Sequence, residues 1–298
     1  MECAGEECRP AVRLLVTGAQ GMLGSEFVRA GIAMHYEVDA VAREDCDITN
    51  REAVLLLAEK QRPEAVIHCA AHTDVDDCEK NPGKAHLINA GGASNFAEAT
   101  QQIGACLVYI STSGVFDGNK TDAYVETDKT APQTEYGRSK LEGENRVISS
   151  GCDNLIVRAS WLFGGDPKLR KNFVAARKRE AEEKKVIESA TDKRGSPTWT
   201  RDFALKTLEL LSAGARGLLH VSNSGVATRF DYVSAIVSLF RLKTPVKPVD
   251  SSRFPRAAPV PMNESMASVK LSEIGISELR PWREALNSYI AQFNDGAA

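Results

Sequence analysis

A tyrosine and a lysine stand at a spacing that suits proton transfer. Tyr136 and Lys140 form a Y-x-x-x-K motif at the start of a segment with helical character. Residues four apart on a helix share one face, one turn apart. A phenol with a pKa near ~10 in water is a poor acid–base group unless its anion is stabilised. The Lys140 ammonium would supply that stabilisation and could also hydrogen-bond the ribose of a nicotinamide cofactor.

A hydroxyl completes the set of candidate catalytic groups. Thr112 ends an apolar segment that reads as a strand, and doubly wound sheets hold ligands at the carboxyl ends of their strands. Its hydroxyl could hydrogen-bond a substrate carbonyl beside the phenol, and Tyr136 would donate a proton as the alkoxide forms. We therefore predict that Thr112, Tyr136 and Lys140 are the catalytic residues of a hydride-transfer site.

A glycine-rich turn predicts where the cofactor binds. Residues 17–24 read TGAQGMLG, with glycines at 18, 21 and 24 between a predicted strand and a predicted helix. A backbone that turns tightly and touches a pyrophosphate cannot carry bulky side chains, and the amides of a helix start attract phosphate. The strand–turn–helix context favours a dinucleotide site over a merely tight turn. The residues expected to hold the cofactor here are Gly18, Gln20, Gly21, Met22 and Leu23.

The end of the second strand bears on the choice of cofactor. An acid there would bind a ribose 2′-hydroxyl, whereas an arginine would hold a 2′-phosphate. Asp39 lies inside the predicted strand and Arg43 follows it, so we predict NADP(H), with NAD(H) as the alternative. Further cofactor contacts are expected beside the adenine and along the middle of the dinucleotide, from Asp47, Ile48, Cys69, Ala70 and Ala71.

The order of elements predicts the fold that positions these groups. Strands are expected at 13–17, 36–42, 64–70, 105–112 and 154–160, and helices at 23–33, 50–61, 89–103 and 136–149. This alternation with short connections is typical of an α/β, doubly wound parallel sheet of the Rossmann-like type. Beyond Gly164 the pattern loosens, with helices expected at 172–185, 201–212, 231–242 and 281–293 and a strand at 217–223.

The same pattern suggests a division into domains. Residues 1–12 are expected to be a flexible leader and residues 13–164 a dinucleotide-binding domain, to which 195–223 return. Residues 165–194 and 224–298 would mainly form a smaller C-terminal substrate-binding lobe.

Composition narrows the partners and the location. The 298 residues carry a net charge of −3, which gives no basic field for nucleic acid. No apolar run approaches the ~18 residues that a membrane span needs. The seven cysteines are odd in number and match no disulfide or zinc spacing, which favours a reducing, cytoplasmic location. His68 and His72 follow a predicted strand into a loop, and we predict no metal site there.

Seven motifs together resemble a known family. They read TGAQGMLG, AAHTDVDDCE, ISTSGVFDG, YGRSKLEGE, RASWLFG, GSPTWTRDFA and LRPWREAL. They resemble the extended short-chain dehydrogenase/reductases and, within them, the dTDP-4-dehydrorhamnose reductases, from about residue 13 to residue 293. The resemblance implies NAD(P)H-dependent reduction of a nucleotide-linked 4-keto-deoxysugar, dTDP-4-dehydrorhamnose to dTDP-rhamnose, with Thr112, Tyr136 and Lys140 as the triad. It also implies substrate contacts from Thr73, Thr112, Ser113, Trp161 and Asn172, and more weakly from Arg201.

The chain departs from the family pattern near the expected sugar pocket. Ser113 and Gly114 stand where these reductases usually carry Asp–Tyr, and Val260 and Ala267 replace an arginine and an aspartate. An acid, an aromatic ring and a guanidinium are thereby lost from the pattern, which leaves the sugar and the nucleotide open. Metal dependence and the oligomeric state, including a homodimer, are open too.

Two other functions compete with the reductase. A sugar-nucleotide epimerase with tightly bound NAD is one, because the stretch S-T-S-G resembles that branch. The other is a non-catalytic regulatory subunit resembling that of methionine adenosyltransferase, which keeps the Tyr/Lys pair. A dehydratase is disfavoured, because Ser113 and Gly114 cannot replace its acid and base.

Overall fold

The computed structural model describes residues 12–294. Fifteen strands lie within these residues, most of them short. In chain order they are β1 (Arg13–Thr17), β2 (Glu37–Val41), β3 (Ala65–His68), β4 (Cys106–Thr112), β5 (Asn154–Ala159), β6 (Leu162–Phe163), β7 (Ile187–Ala190), β8 (Arg194–Gly195), β9 (Thr198–Trp199), β10 (Gly217–His220), β11 (Asn223–Ser224), β12 (Ala227–Thr228), β13 (Val246–Val249), β14 (Asn263–Glu264) and β15 (Leu279–Pro281).

Eleven α-helices connect these strands within the described range. They are α1 (Gly24–Ala33), α2 (Arg51–Gln61), α3 (Val75–Lys80), α4 (Pro82–His86), α5 (Gly92–Ile103), α6 (Glu135–Ser150), α7 (Phe173–Glu183), α8 (Thr200–Ser212), α9 (Arg229–Leu239), α10 (Lys270–Glu273) and α11 (Trp282–Asn294). A π-helical turn at Leu87–Gly91 joins α4 to α5, and 3-10 turns lie at Ser113–Val115 and Ser251–Arg253.

A six-stranded parallel sheet forms the centre of the molecule. Its order is β2-β1-β3-β4-β5-β10. Residues of β1 alternate between two apolar clusters, with Leu14 and Val16 in one and Leu15 in the other. Both faces of the sheet are thus covered, as parallel sheets require. Because the strand order reverses between β1 and β3, a crevice opens there at the carboxyl ends of the strands.

The region after β5 forms smaller sheets around an aromatic cluster. A three-stranded sheet has the order β12-β8-β14, and β7 pairs with β13. Trp199, Tyr232, Trp282 and Tyr289 are buried together in the adjoining cluster. The three-stranded sheet matters for the site, because it places Gly195 of β8 opposite Glu264 of β14 and Ala227 of β12.

The predicted α/β, doubly wound parallel sheet of the Rossmann-like type is confirmed. The five expected strands of its first part are present, each within about two residues of its expected bounds. Helices α3 and α4 and the short strands after β5 were not anticipated. The expected return of 195–223 agrees with β10 pairing beside β5, while the domain boundaries themselves stay a prediction. The expected leader lies almost wholly outside the described residues.

No helix within 12–294 has the length and apolarity needed to cross a bilayer.

Packing of α6 on β4 leads to the first prediction. A Cβ atom at Gly143 of α6 would lie 2.2 Å from Tyr109 Oη and 2.9 Å from the Asn89 carbonyl oxygen. Gly143→Ala should therefore push the helix from the sheet and lower the free energy of unfolding by about 1–3 kcal/mol, the usual cost of overpacking. Denaturant titration measures the change.

A matched variant separates this effect from helix propensity. Gly83→Ala lies in α4, where an added Cβ meets nothing within 4 Å, and it should leave stability unchanged or slightly raised. Equal stability of the Gly143→Ala protein and the wild type would contradict the close packing.

Candidate functional site

The glycine turn after β1 packs directly on the loop after β3. Gly18 has a φ of +64°, and a Cβ there would lie 3.0 Å from Ala70 Cα. A Cβ at Gly24 would lie 2.2 Å from the Gly18 carbonyl oxygen. The Ala70 amide also donates to Thr17 Oγ1 at 3.1 Å. The turn thus occupies the switch-point crevice with bare backbone, and this cradle fits the diphosphate of a dinucleotide.

An exposed arginine follows β2 at its carboxyl end, and the acid within β2 lies near Arg13. The Asp39 carboxylate lies 4.0 Å from Arg13 Nε, near the amino ends of the strands. Arg43 is exposed and forms no side-chain hydrogen bond or ion pair within residues 12–294. Gln20 reaches from the glycine turn to this loop, where Nε2 donates to Glu44 Oε1 at 2.6 Å. The arrangement leaves Arg43 available for a 2′-phosphate.

The loop after β2 is held toward α5. Asp47 Oδ1 accepts hydrogen bonds from the Thr49 amide and hydroxyl, and these bonds lower the pKa of the Asp47 carboxyl. The Ile48 carbonyl accepts from Asn95 Nδ2 at 2.8 Å, and its side chain packs against Gly92. Roles for Asp47 and Ile48 beside an adenine remain predictions.

The Thr112 hydroxyl lies against the Tyr136 phenol at the end of β4. Its Oγ1 accepts a hydrogen bond from the Gly114 amide at 3.1 Å, so its own hydrogen remains free to be donated. Burial raises the pKa of Tyr136 to about 12, while the nearby Thr112 hydroxyl opposes the rise and the Glu264 charge adds to it. The phenol is therefore protonated at neutral pH and can act as an acid.

Lys140 lies one turn along α6, in a buried setting. Its Nζ is 4.1 Å from the centroid of the Tyr109 ring. Burial lowers the pKa of Lys140 to about 7, against the attraction of Glu144. Burial, with a smaller effect from the Lys140 ammonium, lowers the pKa of His68 to about 3. Within residues 12–294 no hydrogen bond joins Lys140 to the Tyr136 phenol, so stabilisation of the phenolate by Lys140 stays a prediction.

Cys69, Ala70 and Ala71 form the partly exposed wall opposite Lys140. They follow the fully buried β3 at its carboxyl end. Burial raises the pKa of the Cys69 thiol, and the Lys140 ammonium opposes that rise. Lys140 is therefore near the segment predicted to line the middle of the cofactor.

A buried ion pair on the same helix face was missed by the sequence analysis. Glu144 receives Arg158 Nη2 at 2.7 Å and Nε at 2.8 Å, and Ser111 also donates to it. Glu144 lies one turn beyond Lys140, so α6 carries Tyr136, Lys140 and Glu144 in a row. The pair anchors α6 to β5 and opposes the loss of charge on Lys140. The position of Glu144, four residues after Lys140, was the sequence feature that could have predicted its place on this helix face.

The Trp161 ring is enclosed between two elements. Its backbone φ is +35°, and its Nε1 donates to Glu264 Oε2 at 2.9 Å. The Arg229 guanidinium carbon is 3.4 Å from the ring centroid, and a Cβ at Gly195 would lie 2.2 Å from the fused-ring carbon Cε2. Two groups this close to the same part of the ring must cover opposite faces. Stacking of Trp161 on a sugar, as predicted, would therefore require Arg229 to move.

The other predicted substrate residues have different surroundings. Thr73 is exposed, and its hydroxyl accepts from Lys171 Nζ at 3.2 Å. Ser113 is buried in the 3-10 turn after Thr112, and Arg201 is exposed on α8, 5.8 Å from the Trp199 ring. None of these positions is joined to Tyr136 by a hydrogen bond among the described residues.

Asn172 requires a correction, because its side chain serves the protein itself. Its Oδ1 caps α7 by accepting from the Ala175 amide. Its Nδ2 donates to the carbonyls of Gly164 and Asp166 and to Tyr289 Oη. The residue is 1% exposed, so the amide offers no free polar group to a nucleotide sugar.

The groups lost from the family pattern have counterparts from other elements. Gly114 lies beside the Tyr136 ring, and Val260 offers only its carbonyl, to Lys193 Nζ at 2.6 Å. Glu264 nevertheless supplies an acid to this region, and Arg229 supplies a guanidinium. Neither Glu264 nor Arg229 is among the site residues predicted from the sequence, because nothing in the sequence brings the two together.

Histidine side chains near the site are engaged within the protein. His68 Nδ1 pairs with Thr17 Oγ1 at 3.0 Å, and His72 Nε2 pairs with Asp77 Oδ2 at 2.6 Å. Among residues 12–294, histidine, cysteine and acidic side chains form no group of three or more that could hold a metal.

The lowered pKa of Lys140 predicts a pH dependence of stability. Between the folded value of about 7 and the ordinary value of 10.5, the unfolded chain binds a proton that the folded chain lacks. The contribution of Lys140 to the free energy of unfolding of the cofactor-free protein should therefore rise with pH across this window, opposite in direction to that of the buried Cys69 and Cys106 thiols, whose pKa values are raised by burial. Lys140→Met should flatten that rise, as measured by urea titration from pH 7 to pH 10.

The control for this slope is Lys60→Met, since the Lys60 side chain is exposed in the folded protein. An identical slope for wild type and Lys140→Met would show that Lys140 is not held in a desolvated position.

Known proteins resemble this chain over nearly its full length. The family model described as RmlD substrate binding domain matches residues 12–295. A dTDP-4-dehydrorhamnose reductase of Mycolicibacterium smegmatis is 38% identical over 285 residues, covering 94% of this chain and 86% of that protein. Crystal structures of dTDP-4-dehydrorhamnose reductases from Clostridium acetobutylicum and, in complex with NADP, from Bacillus anthracis have TM-scores of 0.91. They are 34% and 35% identical and cover 95% of this chain and 99% of theirs. The chain therefore belongs to the RmlD substrate-binding-domain family, among homologues of the dTDP-4-dehydrorhamnose reductases.

Proposed function

We propose that this chain is an NAD(P)H-dependent reductase of a nucleotide-linked 4-keto-deoxysugar, with dTDP-4-dehydrorhamnose as the leading substrate and dTDP-rhamnose as the product. The observation that carries the proposal is that Tyr136 of α6 and Thr112, at the carboxyl end of β4, both border Gly114, where an added Cβ would lie 3.5 Å from Thr112 Oγ1 and 3.7 Å from Tyr136 Cδ1. Family membership and the activity named for the relatives support the same assignment.

The preferred cofactor is NADP(H), with NAD(H) as the alternative. The bare turn from Gly18 to Gly24 fits a diphosphate, and exposed Arg43 fits a 2′-phosphate. The Bacillus anthracis relative was crystallised with NADP. When bound, the reduced cofactor supplies the hydride. Lys140 would hold the nicotinamide ribose, and the wall from Cys69 to Ala71 would line the middle of the dinucleotide.

The side chains divide the remaining chemistry among them. Thr112 donates its free hydrogen to the substrate carbonyl oxygen and so orients the carbonyl. Tyr136 donates the proton that this oxygen needs as the carbonyl carbon becomes an alcohol carbon. The phenol then recovers a proton from water. Positive charge on Lys140 would ease the earlier loss of the proton from Tyr136. Thr112 therefore acts as an orienting donor and Tyr136 as the acid.

Two further expectations accompany this function. A lack of binding to nucleic acid is expected from the net charge of −3, whereas the oligomeric state, including a homodimer, stays open. We also propose a cytoplasmic location, supported by the free thiols of Cys46, Cys69, Cys78, Cys106 and Cys152.

Removal of the phenolic hydroxyl tests the mechanism. Tyr136→Phe should lower kcat by about 10²–10⁴-fold, because general acids contribute that much. The assay supplies dTDP-4-dehydrorhamnose with NADPH and follows the loss of reduced-cofactor absorbance. Tyr36→Phe is the control, since its hydroxyl pairs with Ser212 at the surface.

The same assay distinguishes the alternatives. An epimerase would carry bound NAD and consume no reductant, and a regulatory subunit would turn over none of several keto-sugars. Full activity of Tyr136→Phe would contradict the assignment of the acid.

Choice of cofactor is tested at Arg43. Arg43→Gln should raise the KM for NADPH about 10–100-fold, because a hydrogen bond to a charged group contributes about 1.5–3 kcal/mol. The KM for NADH, which lacks the 2′-phosphate, should stay the same and serves as the internal control. Equal changes for both cofactors would show that Arg43 does not contact the 2′-phosphate.

A further inference from the structure

Arg229 is a cation without an anionic partner in contact with it. It is the first residue of α9, and its guanidinium carbon lies 3.4 Å from the Trp161 ring centroid and 5.3 Å from that of Phe173. Within residues 12–294 its side chain makes no hydrogen bond and no ion pair. Stacking on an aromatic ring uses the faces of a guanidinium, so its five N–H donors remain for acceptors in its plane.

The neighbouring charges do not neutralise this guanidinium. Arg177 pairs with Glu180 at 2.5 Å and Arg256 with Asp76 at 3.1 Å. Glu264, the acid whose charge acts most on Arg229, bonds the indole N–H of Trp161 instead. Burial lowers the pKa of Arg229 to about 10, Glu264 opposes that effect, and Arg256 and Arg177 add to it. The guanidinium is half-buried and, among the described residues, unpaired, so its N–H donors are available to a bound anion, with which they would form charge-assisted hydrogen bonds.

The position of Arg229 is built into the small three-stranded sheet. Arg229 directly follows Thr228 of β12, which pairs with Arg194 of β8. Gly195 of β8, opposite Glu264, leaves room for the Trp161 ring. Trp161 adopts a left-handed backbone conformation that is unfavourable for a non-glycine residue, and its bonds to Glu264 and to the Thr198 amide hold it there.

The stack lies beside the catalytic groups. Trp161 follows β5 by two residues, and β5 pairs with β4 along Thr112. The charge of Glu264, which holds the indole, also raises the pKa of Tyr136. An anion held by Arg229 would therefore belong to the same site as the reacting carbonyl rather than to a distant surface.

We infer that Arg229 binds the diphosphate of the nucleotide sugar, with Trp161 as its platform and Glu264 as the residue that positions Trp161. This inference rests on the proposed function for the identity of the ligand. Arg229 would supply, from α9, a guanidinium that the family pattern places at position 260. The chemical class of the ligand is a nucleoside diphosphate, recognised by charge-assisted hydrogen bonds of a planar fork.

Binding of dTDP measured by calorimetry tests this role without turnover. The protein is kept saturated with NADP⁺, so that dTDP cannot occupy the cofactor cradle. Arg229→Met should weaken dTDP binding about 10–100-fold, the loss of about 1.5–3 kcal/mol for hydrogen bonds to a charged group. The affinity of Arg229→Lys for dTDP should lie between those of the wild type and Arg229→Met, because lysine keeps the charge but lacks the planar fork of donors. Affinity for thymidine, which has no phosphate, and for NADP⁺ should not change.

Arg216→Met is the matched control, because Arg216 pairs with Asp153 at the amino-terminal edge of the sheet. Unchanged dTDP binding by Arg229→Met, a parallel loss of thymidine and dTDP binding, or no dTDP binding by the wild type would each overturn the inference. If dTDP binding depends on Arg229 but no keto-sugar is reduced, the proposed reduction fails and the anion site stands. If Arg229→Met reduces the keto-sugar with an unchanged KM, the proposed reduction stands and the anion site at Arg229 fails.

Discussion

The site depends on the close approach of α6 to β4. Gly143 rests on the Tyr109 hydroxyl, and a Cβ at Gly137 would lie 2.1 Å from the Gly114 carbonyl oxygen. With no side chain in between, the helix lies directly on the carboxyl end of the strand and brings Tyr136 against Thr112. The Glu144–Arg158 pair then fixes the helix along its length. Proton donor, hydroxyl and ammonium are thus positioned by backbone contact rather than by flexible side chains.

The parts of the site that are local in sequence could be predicted from it. Y-x-x-x-K specifies two residues on one helix face, and TGAQGMLG specifies a turn between a strand and a helix, because both depend on residues only a few positions apart. The alternation of strands and helices then determines which ends of the strands meet. These predictions required only helical periodicity, the backbone freedom of glycine and the handedness of crossovers.

The parts that depend on distant residues could not be predicted in this way. Spacing alone suggested that Lys140 stabilises the Tyr136 phenol. The contact of the Lys140 ammonium with the Tyr109 ring of β4 could not be read from that spacing. Asn172 matched a binding position, but the acceptors that occupy its amide include Tyr289, more than a hundred positions away. Trp161, Gly195, Arg229 and Glu264 come together only through the pairing of two-residue strands, which have too few residues to show any periodicity.

Under the proposed function, the three-stranded sheet β12-β8-β14 holds ligand-binding residues apart from the residues that act on the carbonyl. Gly195 and Glu264 lie on it and Arg229 follows it directly, while Thr112, Tyr136 and Lys140 belong to the large sheet and α6. Under that function, substitutions in a few adjacent positions of this small sheet would therefore change ligand choice while Thr112, Tyr136 and Lys140 stay in place. Such modularity gives natural divergence, or a designer building libraries for unusual deoxysugars, a compact region to vary.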